Sequence, residues 1–134
     1  MKPGTLWVPL DLARALQGEG LGAEVLDCLR RVRPVRTSSL SLPADRPKAK
    51  EHFESFAVVP TLDGPDDILL VDDFVTRGAT LIGAASRLHQ AFPRSRIRAF
   101  AAMRAISNPE EFVAILAPCC GQIRREGENS FRRP

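Results

Sequence analysis

The sequence predicts an α/β fold, a single domain over residues 1–134 built on a parallel sheet flanked by helices on both faces. Three observations carry this expectation. Residues 68–71 (ILLV) form an aliphatic run without polar alternation, the pattern of a strand buried on both faces of a parallel sheet. Residues 79–92 place Leu81, Ala85, Leu88 and Phe92 on one face at helical spacing, a helix of roughly 20 Å. Residues 97–103 are a second continuous apolar strand, interrupted only by Arg98. Strand, helix and strand at these lengths make a βαβ unit, whose crossover is right-handed and whose sheet is parallel.

The remaining elements follow in chain order. Residues 6–8 are a short apolar run ended by Pro9, which reads as a first strand opening into a loop. From about Leu21 to Val32, the positions Leu21, Val25, Cys28, Leu29 and Val32 share one face at helical spacing, and Pro34 stops that helix. A brief strand is expected over residues 35–37. Residues 38–55 are polar, carry Pro43 and Pro47 and show no sustained period, so they read as a long mobile surface loop. Structureless loops longer than about 15 residues are uncommon in compact domains and often serve as active-site lids. Residues 56–59 resume an aromatic and β-branched run, and residues 61–67 (TLDGPDD) supply turn chemistry. The tail over residues 125–134, which ends GENSFRRP, is expected to fray. There is no internal repeat and no sign of a second domain.

At 134 residues a single core suffices without disulfide or metal support, and 44% apolar with 26% charged residues is an ordinary globular balance. No stretch is long and apolar enough to span a bilayer. The opening MKPGTLWVPLDLARAL reads poorly as a signal peptide, so the cytoplasm is the expected location. Cys28, Cys119 and Cys120 cannot form a disulfide framework, which fits a reducing compartment. Cys28 reads as a small core residue on its apolar face, and the PCCG thiols as incidental to a turn, since no CxxC spacing supports a metal. The net charge of +3 conceals sixteen arginines against three lysines. Arginine's planar fork suits phosphate and carboxylate, although the base composition of the gene is the simpler source of the excess.

The chemistry concentrates in ILLVDDFVTRGATL, residues 68–81. Ligands of open α/β sheets bind beyond the carboxyl ends of the strands, where Asp72 and Asp73 are expected. Thr76, Arg77, Gly78, Ala79 and Thr80 follow at the mouth of the next helix. Hydroxyls from the two threonines, a tight turn at Gly78 and the first unpaired helical N–H groups make a cup for a phosphate monoester. Carboxylates only accept hydrogen bonds, so the adjacent pair suits vicinal sugar hydroxyls or the shell of Mg²⁺. A phosphorylated ribose satisfies both. The loop is not a Walker A loop, because the Gly-Lys-Ser/Thr ending is absent.

This stretch resembles the binding motif for 5-phosphoribosyl 1-diphosphate (PRPP) of type I phosphoribosyltransferases: four aliphatics, two acidic residues, two apolar residues, then Thr-x-Gly-x-Thr, with Phe74 bulkier than the usual aliphatic. The order of elements before it is similar to that family too, and the WVPL opening looks most like its competence-associated, ComF-like branch. The resemblance implies that Asp72 and Asp73 hold the ribose hydroxyls, that Val75, Thr76, Arg77, Gly78, Ala79 and Thr80 hold the 5′-phosphate, and that Mg²⁺ is the cofactor, held at Asp72 and Asp73 directly or through water. It implies transfer of the phosphoribosyl group from PRPP to a nitrogen nucleophile with release of pyrophosphate. By position in the mobile loop, Lys48 and Lys50 are the expected catalytic cations, with Arg46 and His52 as further loop candidates. It also implies a homodimer.

The sequence departs from the family in its hood, the part that selects the nucleophile, which is missing or reduced to the tail after Ser107. A second reading therefore stays open: a non-catalytic PRPP- or nucleotide-binding sensor, or a partner in DNA uptake or nucleic-acid processing. A receiver domain is disfavoured, since its acidic pair would lie on the first strand. The basic clusters Arg30, Arg31, Arg33, Arg36 and Arg94, Arg96, Arg98 would suit nucleic acid, but no aromatics interleave them and solvated faces are preferred. His89 is expected on the outer face of its helix.

Overall fold

A strand, a helix and a parallel strand organise the centre of the protein, whose computed structural model describes residues 7–35, 47–59, 64–105 and 118–133. In chain order the elements are α1 (Val8–Gly18), β1 (Leu29–Arg31), α2 (Ala49–Ser55), β2 (Phe56–Val58), β3 (Asp67–Val75), α3 (Ala79–Ala91), β4 (Arg96–Arg104), β5 (Gln122–Glu126) and β6 (Asn129–Arg133). β3 and β4 pair in parallel, with Ile68 opposite Ile97, Leu70 opposite Ala99 and Asp72 opposite Ala101. α3 makes the crossover. Its buried residues Leu81, Ala84 and Leu88 lie three and four apart, and Pro93 ends the helix one residue after Phe92 caps it.

The core forms where α3 meets the β1–β2 and β3–β4 pairs. Cys28, Leu88 and Phe92 are buried together, and Leu29, Val58, Ile68, Leu70 and Ile97 pack against them. β1 and β2 form a separate antiparallel pair, with Leu29 opposite Val58 and Arg31 opposite Phe56. α2 lies against α3 through Gly83: a Cβ there would come within 2.6 Å of His52 Cβ and 2.7 Å of Phe53 N. Arg87 of α3 fastens the same joint, donating from Nε to the Phe56 carbonyl at 2.7 Å with its guanidinium over the Phe53 ring.

The α/β class holds in the coarser sense of a mixed α/β protein. Among the described residues the strands make three two-stranded sheets, in place of the expected single parallel sheet covered on both faces. β3 is accordingly not buried on both sides: Leu69 and Phe74 are 43% and 45% exposed. On β4, Met103 is 57% exposed. The described chain supplies too few layers to cover both faces.

The N-terminal third differs most from expectation. Val8 belongs to a helix and not to a first strand, because Pro9 is suited to the first turn, where its missing N–H costs nothing, and Asp11 sits in that turn. Leu6 lies outside the described residues. The helix expected from about Leu21 to Val32 does not form. Gly18, Gly20 and Gly22 weaken helix propensity at its start, Gly20 adopts φ +76°, and Leu29–Arg31 pair with β2 while Cys28 enters the core. Leu21 and Val32 are left exposed. The brief strand expected at 35–37 is not seen at Val35, and its other residues lie outside the described ones.

The loop expected over 38–55 contains α2, whose entry is fixed by the Lys48 backbone N–H donating to Glu51 Oε1 at 2.9 Å. Residues 38–46 lie outside the described residues. Within the tail, β5 and β6 form a hairpin whose two-residue turn, Gly127 and Glu128, has φ +60° at its glycine, as a type II′ turn requires. Among the described residues no helix is long and apolar enough to cross a membrane.

Candidate functional site

β3 carries the acidic pair inside the strand, three and two residues before its end at Val75, and not beyond it as the sequence suggested. The Asp73 backbone N–H donates to Asp72 Oδ1 at 3.0 Å. The two carboxyl groups are also close enough to share a hydrogen bond. Burial, together with that contact and the neighbouring negative charge, pushes the Asp72 carboxyl up to about 6. Arg31 works against this rise: it lies near enough that its charge favours an ionised Asp72, while its own guanidinium is held below its usual value by burial. The Arg31 guanidinium is fixed in place by a 3.0 Å bond from Nη1 to Ser55 Oγ and by stacking 4.5 Å from the Phe56 ring centroid.

Residues 76–78 turn the chain from β3 into α3. Gly78 precedes the helix in the left-handed region at φ +82°, and among the described residues no side chain caps the helix end. The first intrahelical bond described at this end runs from the Ile82 N–H to the Gly78 carbonyl at 2.9 Å, so the N–H groups of Ala79, Thr80 and Leu81 have no intrahelical acceptor. This is the donor-rich mouth expected from the motif.

The hairpin stands over that mouth. A Cβ on Gly78 would lie 2.7 Å from two carbons of the Ile123 side chain. Arg132 donates from Nε to the Thr76 carbonyl at 3.1 Å and from Nη2 to the Ala105 carbonyl at 2.7 Å. At the other end of the hairpin, Glu128 in the turn pairs with Lys48 at the start of α2. Between these contacts lies a cavity of about 10 Å³ lined by Pro47, Lys48, Arg77, Ala79, Asn129 and Ser130, enough for one water.

Lys48 is thus the loop cation that the structure brings beside the 76–80 loop. Lys50 is not: it pairs with Glu54 at 3.9 Å along the exposed face of α2. His52 is no site-facing loop residue either, since it is 4% exposed and packed toward Gly83. Neither of its ring nitrogens has a hydrogen-bond partner among the described residues, and burial, then the Arg31 charge, lowers its pKa to about 4. Arg46 lies outside the described residues. Cys28 is buried as expected, with its thiol raised by burial, and Cys119, Cys120 and His89 are exposed. Arg96 and Arg98 both reach Asp67 at the start of β3, Arg96 through a two-bond fork, so they are engaged in fastening β4 to β3.

Asp72 and Asp73 present hard carboxylate oxygens side by side, which fits Mg²⁺ held by one or two carboxylates together with oxygens of a substrate phosphate. Among the described residues no cluster of three or more metal-ligating side chains surrounds them. Sequence reasoning missed Arg31 as the cation beside the acidic pair and the whole hairpin as a wall over the loop. Gly127 between two short alternating runs was the available signal for the hairpin; nothing marked Arg132.

No family model, curated protein or solved structure matches this chain. Its chemistry is therefore read from its own residues.

Proposed function

We propose that this chain binds PRPP and transfers its 5-phosphoribosyl group to a nitrogen nucleophile, releasing pyrophosphate. The observation that carries the reading is the placement of a close carboxyl pair on β3, followed at the β3–α3 crossover by a left-handed glycine and an uncapped helix mouth. The 76–80 loop receives the 5′-phosphate through the first N–H groups of α3 and the Thr76 and Thr80 hydroxyls. Asp72 and Asp73 accept hydrogen bonds from the ribose 2′- and 3′-hydroxyls. Together they fix the sugar at two points, so that the anomeric carbon is held for in-line attack. The bond from C1 to the pyrophosphate oxygen breaks with its electron pair leaving on pyrophosphate, and a C1–N bond forms on the opposite face. Lys48, beside the loop, adds positive charge for the phosphate groups of the ligand. Asp72 and Asp73 would hold Mg²⁺, which would supply positive charge against the pyrophosphate.

A second reading, binding of PRPP or a nucleotide without turnover as a sensor or a partner in nucleic-acid processing, is favoured by one observation. Of the two expected catalytic cations, Lys48 borders the 76–80 loop whereas Lys50 pairs with Glu54 along the exposed face of α2, which leaves less positive charge for a departing pyrophosphate. Pyrophosphate release measured with PRPP and Mg²⁺ against a panel of bases and amines separates the two. Acceptor-dependent release supports transfer; PRPP binding with release no faster than without acceptor, across the panel, supports the second reading.

A further inference from the structure

We propose that the β5–β6 hairpin is a latch on the phosphate loop: Glu128 acts as an internal anion on Lys48, and a phosphate-bearing ligand opens the hairpin by competing for that lysine. This rests on the phosphate-binding reading of residues 76–80. The two ends of the hairpin are fastened differently. The end near Ile123 and Arg132 is anchored to backbone, with two guanidinium bonds to the Thr76 and Ala105 carbonyls and a side chain seated on Gly78. The turn end is held to α2 by the Lys48–Glu128 pair, whose side chains are 46% and 62% exposed. An exposed pair is weak and screened by salt. The turn end is therefore the part that releases first.

Three features make the pair a competitor for ligand and not a mere surface contact. Lys48 lines the same cavity as Arg77 and Ala79, the first residue of α3, so released from Glu128 it borders the space beside the helix mouth. Asn129 and Ser130, the two residues after Glu128, form the opposite wall, so displacing the turn widens the cavity directly. The cavity, at about 10 Å³, has room for about one water while the turn is down. Glu128 is also favoured as a carboxylate by Lys48 first and by Lys50 and Arg125 beyond it, so it stays a charged rival for the same cations. Binding then exchanges one anion for another at Lys48, with little net change in charge there.

The test combines hydrogen exchange of the β5–β6 amides with titration of inorganic phosphate and of PRPP plus Mg²⁺, in wild type and Glu128→Gln. The glutamine keeps size and hydrogen bonding while removing the charge. The expected result is exchange in the hairpin faster by roughly two- to fivefold, unchanged exchange in β3 and β4, and binding tighter by a similar factor. Unchanged hairpin exchange, or faster exchange with binding unchanged or weaker, overturns the latch. Faster hairpin exchange in a protein that binds neither phosphate nor PRPP, in wild type or variant, overturns gating by showing that the phosphate reading itself has failed although the turn does open.

Discussion

The Asp73 N–H lies 3.0 Å from Asp72 Oδ1, so the first carboxylate of the acidic pair is held by the backbone of the second. This bond favours the charge on Asp72, yet burial and the adjacent carboxyl outweigh it and leave the group titrating near 6.

The sign for stability follows from that rise. The folded protein holds the Asp72 proton more tightly than the unfolded chain does, so the group's ionisation opposes folding as pH rises from about 4 to 6 and does so fully above 6. Asp72→Asn, which keeps an acceptor for the Asp73 N–H, is expected to stabilise the fold at neutral pH by about 1–2 kcal/mol after discounting for solvent. The gain should vanish below about pH 4. Denaturant unfolding of both proteins across this range checks it. Ligand binding should run the other way, weakening in wild type as pH falls through 6 because the ionised carboxylate is the acceptor for sugar hydroxyls.

His52 has the opposite dependence. Its folded pKa near 4 lies below the unfolded value, so stability is full above about 6.5 and is lost as pH falls toward 4. His52→Leu removes that loss and also removes two ring nitrogens without partners among the described residues. The difference in unfolding free energy between variant and wild type should grow by about 1–3 kcal/mol between pH 6.5 and 4. A flat difference would show that His52 is not buried as a neutral ring.

Gly83 sets the approach of α2 to α3. Alanine would gain roughly 1 kcal/mol of helix propensity but would press its methyl into His52 Cβ, the Phe53 N–H and the Ala49 carbonyl, two of them backbone. Gly83→Ala should therefore destabilise by about 1–3 kcal/mol, read as a lower midpoint in denaturant.

Gly78 faces two constraints, a positive φ and the Ile123 side chain. Gly78→Ala should cost about 1–3 kcal/mol. In the double variant with Ile123→Ala the steric share should be recovered and the φ share retained, giving a coupling of at least about 0.5 kcal/mol in a double-mutant cycle. Additivity would mean that the hairpin does not rest on the loop in solution.

What could be read from the sequence was the part governed by local rules. The aliphatic run before Asp72, the spacing of Leu81 and Leu88 and the second run ending at Met103 each specify their own element, and β3, α3 and β4 form where expected and pair in parallel. Cys28 was read correctly as core but on the wrong element, because its helical spacing with Leu21 and Val32 competes with strand pairing of Leu29–Arg31 to β2, which a local period does not encode. The positions of Asp72, Asp73 and Gly78 near the crossover were legible. Arg31 and Arg132 were not, since each reaches the site through contacts 24 to 56 residues away in sequence.

Calorimetric titration of PRPP with Mg²⁺ at about pH 8, where Asp72 is ionised, tests the central claim most directly. Saturable binding to wild type, weakened roughly tenfold or more in both Asp72→Asn and Asp73→Asn, is the predicted result. No binding by wild type, or undiminished affinity in both variants, would contradict it.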